Sequence, residues 1–149
     1  MEIAIYFVAA LLGIFFRYNL GFSQACKFVG TSISSSGSGS GFQDAVTPPF
    51  STNFTLLTWV AIVCVFGFAV YKFGWETFGF AIGAFFVSSV IAGAVVIPKS
   101  DSKHFVERIY RSMVSRFADY VKEGDTLRAD AMKHLIDKIE ANYRDKLIN

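Results

Sequence analysis

Asp130, His134 and Asp137 are the residues whose types and spacing come nearest to chemistry. Steps of four and then three put them on one face of a helix, where two carboxylates and an imidazole could ligate a divalent cation. The same spacing also describes the solvated face of any charged helix, which is the commoner case. No metal is therefore expected, with Asp130, His134 and Asp137 as the candidates should one bind. His104, beside Asp101 and Glu107, is a thinner version of the same pattern. Cys26 and Cys64 are too far apart to form a local ligand pair. No Ser-His-Asp signature, phosphate loop or zinc spacing occurs. No histidine lies in an apolar stretch where it could serve as a haem ligand. Neither an enzymatic activity nor a cofactor is expected of this chain by itself.

The elements that carry these residues divide sharply by polarity. Hydrophobic residues make up 53% of the 149 and charged residues 17%, against about 25% charged in an ordinary soluble domain. Residues 1–100 hold only Glu2, Arg17, Lys27, Asp44, Lys72, Glu76 and Lys99; every other charge follows residue 100. That pattern is a membrane part followed by a water-facing part. A net charge of +2 with a nearly balanced tail argues against nucleic-acid binding.

Three apolar stretches predict three spans. The first, Ile3 to Phe16, is short for a bilayer, but it extends to about residue 22 if Arg17 snorkels to the headgroups. A cleaved signal peptide is the weaker reading of it, because Glu2 stands where a basic region belongs. The second stretch is Phe54 to Tyr71. The third is Phe78 to Ile97, with Pro98 as its stop. Lys72 to Thr77 reads as a six-residue link between antiparallel helices, with Trp75, Trp59 and Tyr71 at interface depth. The predicted parts are 1–22 (first span), 23–53 (flexible loop), 54–98 (second and third spans) and 99–149 (tail). Nine of the eleven residues in 31–41 are Ser or Gly, a linker composition. Asn53-Phe54-Thr55 is a glycosylation sequon, but it abuts a span and falls on the predicted inner side.

Lys99, Lys103, Arg108, Arg111 and Arg116 follow the third span closely, so the positive-inside rule puts the tail in the cytoplasm and the N-terminus outside. A bacterial inner membrane or its equivalent fits that layout. Span three carries small residues at four-residue steps: Gly79 and Gly83, then Ala84, Ser88 and Ala92, then Ser89 and Gly93. Such ridges let helices approach closely.

The tail has helical periodicity. Val106, Ile109, Tyr110, Met113, Phe117, Tyr120 and Val121 share one face, and Gly124 is a natural stop. Asp125 or Thr126 starts a second helix whose predicted apolar face is Leu127, Ala131, Leu135, Ile139 and Tyr143, with Met132, Ile136 and Leu147 beside it. Two such helices are too small to bury those faces alone. Val106, Ile109, Tyr110, Met113, Phe117, Leu135, Ile139 and Tyr143 are therefore expected to meet a partner or the membrane surface, where the basic residues would favour anionic lipid.

The fold class expected is all-α: an integral membrane protein with three transmembrane helices and a C-terminal cytoplasmic amphipathic helical hairpin. The leading functional expectation is a non-catalytic accessory or scaffold subunit, bound to other integral membrane subunits and to the lipid bilayer. Two alternatives stand beside it. The layout of spans and charged tail resembles, in topology only, that of class I phage holins, which implies a homo-oligomeric pore. The third class is a membrane adaptor whose tail recruits a soluble protein.

Overall fold

The computed structural model describes residues 2–33 and 49–147, with 49–55 by backbone alone. All described regular structure is helical. The elements are α1 (Glu2–Ile33), α2 (Pro49–Phe73), α3 (Trp75–Ile91, continued by a π-helical turn Ala92–Val96), α4 (Lys103–Glu123), α5 (Thr126–Asn142) and a short α6 (Arg144–Leu147). α1, α2 from Leu56 and α3 with its π turn are each long and apolar enough to cross a membrane. Residues 34–41 of the Ser/Gly linker lie outside the described residues, as do the side chains of the Asn53–Thr55 sequon.

Two boundaries differ from expectation. The first helix does not end near residue 22 but runs 32 residues to Ile33. Phe22, Ala25, Cys26, Val29 and Ile33 are all buried, which makes a second apolar stripe at helical spacing just beyond the first apolar stretch. Residues 23–33 therefore belong to a helix rather than to the flexible loop. The second difference is the link between α2 and α3, which is the single residue Gly74 rather than six residues. Its φ of 85° is open to glycine and strained for any other L-residue. One residue in that conformation is enough to end α2, and the Gly74 amide still donates to Val70 O at 3.1 Å.

The chain forms two compact units. Unit 1 comprises residues 1–21 and 50–97. Its core gathers Ile5, Ala9, Ile62, Ala69, Ala81 and Phe85. Tyr6 pairs with Phe80 and Ser88 bonds to Ala10, so α1 and α3 run parallel. Phe16 meets Trp59 and Asn19 meets Thr58, while Ile5 lines a groove with Val65 and Phe68, so α2 runs antiparallel to α1. α3 ends for a local reason. Proline has no amide and forces its predecessor to extend, and Ile97 before Pro98 is extended at φ −85°, ψ 125°. The Ile97 amide reaches back five residues to Ala92 O at 2.8 Å, which is the π turn.

Unit 2 comprises residues 22–49 and 98–149. Here α4 ends at Gly124, whose left-handed φ of 75° lets its amide bond to Tyr120 and Val121 carbonyls. Asp125 caps α5, accepting from the Arg128 amide at 3.1 Å. Phe105, Val106, Ile109, Met113, Met132, Ile136, Ile139 and Tyr143 are buried. The partner that the tail faces require is, in large part, residues 22–33 of the same chain. The Phe22 ring lies 5.8 Å from that of Phe105, and the Arg108 guanidinium sits 5.1 Å over Phe22.

Candidate functional site

Four polar side chains of unit 1, Ser88, Arg17, Asn19 and Thr58, lie where α1 meets α2 and the later turns of α3. Ser88 Oγ donates to Ala10 O at 2.9 Å, a bond across helices that also holds them close. Gly13 lies in the same contact. A Cβ built there would overlap the Phe85 carbonyl oxygen and Ser88 Oγ and stand 3.1 Å from Phe85 C. One turn further along α1, the half-buried Arg17 packs against Gly93 in the π turn. A Cβ on Gly93 would collide with Arg17 Nε and stand 3.1 Å from Cζ. Asn19 Nδ2 then donates to the buried Thr58 Oγ1 at 3.3 Å. The residues expected to pack, the small ridges of span three, did not include Gly13, although Ala9, fully buried in the same core, stands four residues before it on the same helical face.

The expected packing residues divide. Ala92 is buried and Ser88, Ser89, Ala84 and Gly93 are half-buried, with Ser88 and Gly93 in the contacts just described. Gly79 and Gly83 are exposed, and nothing lies within 4 Å of the Cβ either would carry. Among the described residues, nothing packs on that GxxxG pair. The helical period explains the split: the core side of α3 is set by Thr77, Ala81 and Phe85, and Gly79 and Gly83 fall on the opposite side.

In unit 2, Val106, Ile109, Met113 and Ile139 are fully buried and Tyr143 is buried. They form an interior and not a partner surface, because residues 22–33 and the two tail helices fill one another's apolar faces. Tyr110, Phe117 and Leu135 are half-buried. The face predicted for α5 is rotated: Ala129, Met132 and Ile136 turn inward, while Ala131 is exposed and Leu127 is 82% exposed. Phe105, fully buried, was not among the expected core residues, although it precedes Ile109 and Met113 at four-residue steps.

The C-terminal end of α1 is capped by side chains from α5 and the residue after it. Asn142 Nδ2 donates to Ser32 O and Lys138 Nζ to Ile33 O, each at 3.4 Å, and Ser32 Oγ meets Tyr143 Oη at 2.6 Å. Carbonyls left open at a helix end take such donors readily, and a cation there complements the helix dipole. Elsewhere in unit 2, Tyr110 Oη donates to Glu140 Oε1 at 2.6 Å. That hydrogen bond, with partial burial and the carboxylate charge, raises the Tyr110 phenol above its ordinary value. Glu107, Arg111, Asp137, Glu140 and Arg144 surround it in an open cleft of about 630 Å³.

Asp130, His134 and Asp137 are all exposed. Among the described residues, no group of three His, Cys, Asp or Glu side chains is placed to hold a metal ion. Comparisons with family models, curated proteins and solved structures found no match to this chain.

Proposed function

We propose that this chain is a small non-catalytic accessory or scaffold subunit of a larger membrane complex, acting in its assembly and stability. The observation that carries the reading is the exposed Gly79–Gly83 face of α3. At Gly13 the chain's own helix fills the space that a small residue opens, whereas at Gly79 and Gly83 the space is open. Phe80, Phe86, Val87 and Val90 are exposed on the same helix. A groove floored by two glycines and walled by large apolar side chains accepts a neighbouring transmembrane helix.

The three spans lie in a bacterial inner membrane or its equivalent, N-terminus outside, with the α4–α5 hairpin in the cytoplasm. The basic residues after α3 support that orientation. A homo-oligomeric pore is the less favoured reading. A pore needs a polar stripe facing its lumen, and the polar groups Asn19, Thr58 and Ser88 bond within unit 1 instead. Native mass spectrometry after gentle detergent extraction tests the proposal. Larger co-purifying chains at fixed stoichiometry support it, and their loss with Gly83→Leu assigns the contact to α3. A ladder of copies of this chain alone refutes it.

A further inference from the structure

We propose that Arg17, packed on Gly93, binds the phosphate of a membrane phospholipid at the end of unit 1 where α1 and α3 approach their exits from the bilayer. The inference rests on the membrane reading above and adds a ligand to it. Arg17 is the one charged residue in the middle of α1, and it is half-buried. A half-buried guanidinium favours a nearby anion, because packing strips part of its hydration. Unit 1 contains no suitable one. Its only carboxylates are Glu2 and Glu76. Glu2 lies 15 residues back along α1, about 22 Å at the helical rise. Glu76 begins the parallel α3, 17 residues before Gly93, about 25 Å away by the same rise. Both therefore stand at the opposite end of the bundle.

Three observations put the Arg17 level at the headgroups. Gly93 lies four residues before Ile97, where α3 breaks. Trp59, 53% exposed, packs edge-on to Phe16 one residue from Arg17, and indole favours interface depth. Asn19 and Thr58 make a polar pair one helical step further on. Gly93 gives the guanidinium its seat, since any side chain there would displace it. A planar guanidinium fork suits a phosphate, with two parallel N–H donors to two oxygens.

The test uses the full chain, purified in mild detergent, stripped of lipid and titrated with phosphatidylglycerol in mixed micelles, while native mass spectrometry counts retained lipid. Arg17→Gln should lower retention about tenfold, the effect of one charge-assisted contact in a partly wet site. Arg17→Lys keeps the charge without the fork and should lower it less. Lys72→Gln, at the opposite end, should leave it unchanged. Helical circular dichroism checks that each variant is folded; if Arg17→Gln is not, the comparison of Arg17→Lys with wild type carries the test. Equal retention in wild type and the Arg17 variants overturns the site. Displacement of the lipid by equimolar inorganic phosphate overturns the lipid as the source of the phosphate. An alkaline wash of the source membranes tests the membrane reading separately: release of the chain refutes that reading, whereas a retained chain with Arg17-independent lipid binding refutes only the site.

Discussion

Replacing Gly13 and Gly83 by alanine separates the interior of unit 1 from its outer face. Each exchange removes the backbone freedom that makes glycine costly in a helix, a gain of about 0.5–1 kcal/mol where the new methyl meets nothing. That condition holds at Gly83, where no atom lies within 4 Å of the added Cβ. At Gly13 the Cβ would overlap the Phe85 carbonyl oxygen and lie 3.1 Å from Phe85 C. A backbone carbonyl cannot rotate away as a long side chain can, so α1 and α3 must part. Overpacking of this kind costs about 1–3 kcal/mol. Parting the helices also weakens the Ser88–Ala10 bond, a further cost of about 0.6 kcal/mol for polar contacts between membrane helices. Net of the glycine gain, Gly13→Ala should destabilise by about 0.6–3 kcal/mol and Gly83→Ala should stabilise slightly; the gain is common to both, so the gap is about 1.6–3.6 kcal/mol. Reversible unfolding in mixed dodecyl maltoside and SDS micelles, followed by circular dichroism, measures that gap. Equal midpoints for the two variants would refute the close α1–α3 contact and the reasoning built on it.

Four further outcomes follow from the same geometry. Ser88→Ala should cost less than about 1 kcal/mol in that unfolding assay, because it removes one interhelical bond and leaves no overlap. Met113→Ala should cost about 2–5 kcal/mol, measured by thermal melting, since Met113 is fully buried in unit 2; an effect within the error would return it to the surface. A fragment of residues 98–149 lacks Phe22, Cys26, Val29 and Ile33 and should bind a hydrophobic dye strongly, and adding a peptide of residues 22–33 should reduce that binding. Tyr110 should titrate above the ordinary tyrosine value in a phenolate absorbance difference against Tyr110→Phe, and Glu140→Gln should lower it. Because its folded value is raised, the stabilisation from this contact is full below the unfolded value near 10 and is lost as pH rises through the folded value.

The sequence makes the three apolar helices legible because their signal is additive: hydropathy summed over about 20 residues needs no knowledge of neighbours. The stop at Gly124 and the cap at Asp125 are equally local, and both residues occupy those positions. What depends on partners is harder to read. Residues 22–33 carry their apolar stripe beside Ser23, Gln24, Lys27, Thr31 and Ser32, so their mean polarity resembles a loop. Only the alignment of Phe22, Cys26, Val29 and Ile33 with the tail makes them a helix worth forming. The α5 face was rotated for a related reason. Leu127 is in the first turn of α5, where hydropathy alone assigns it inward, and it is instead 82% exposed.

Those same residues change what the tail means. An amphipathic pair with both faces open would be a docking element in search of a partner, and its apolar residues would be the site. Here Val106, Ile109, Met113 and Ile139 are spent on the chain's own interior, and only scattered apolar residues such as Val121 and Leu127 stay exposed on the tail helices. The spans keep an open apolar face at Gly79 and Gly83. A subunit built this way would make its selective membrane contact through α3 and its water-facing contact through charge, around Glu107, Arg111, Asp137 and Arg144. The two contacts then differ in salt dependence. Screening weakens an exposed charged interface but leaves a glycine-floored helix contact in the bilayer untouched. A partner released by high salt would therefore belong to the tail, and one retained through it would belong to α3.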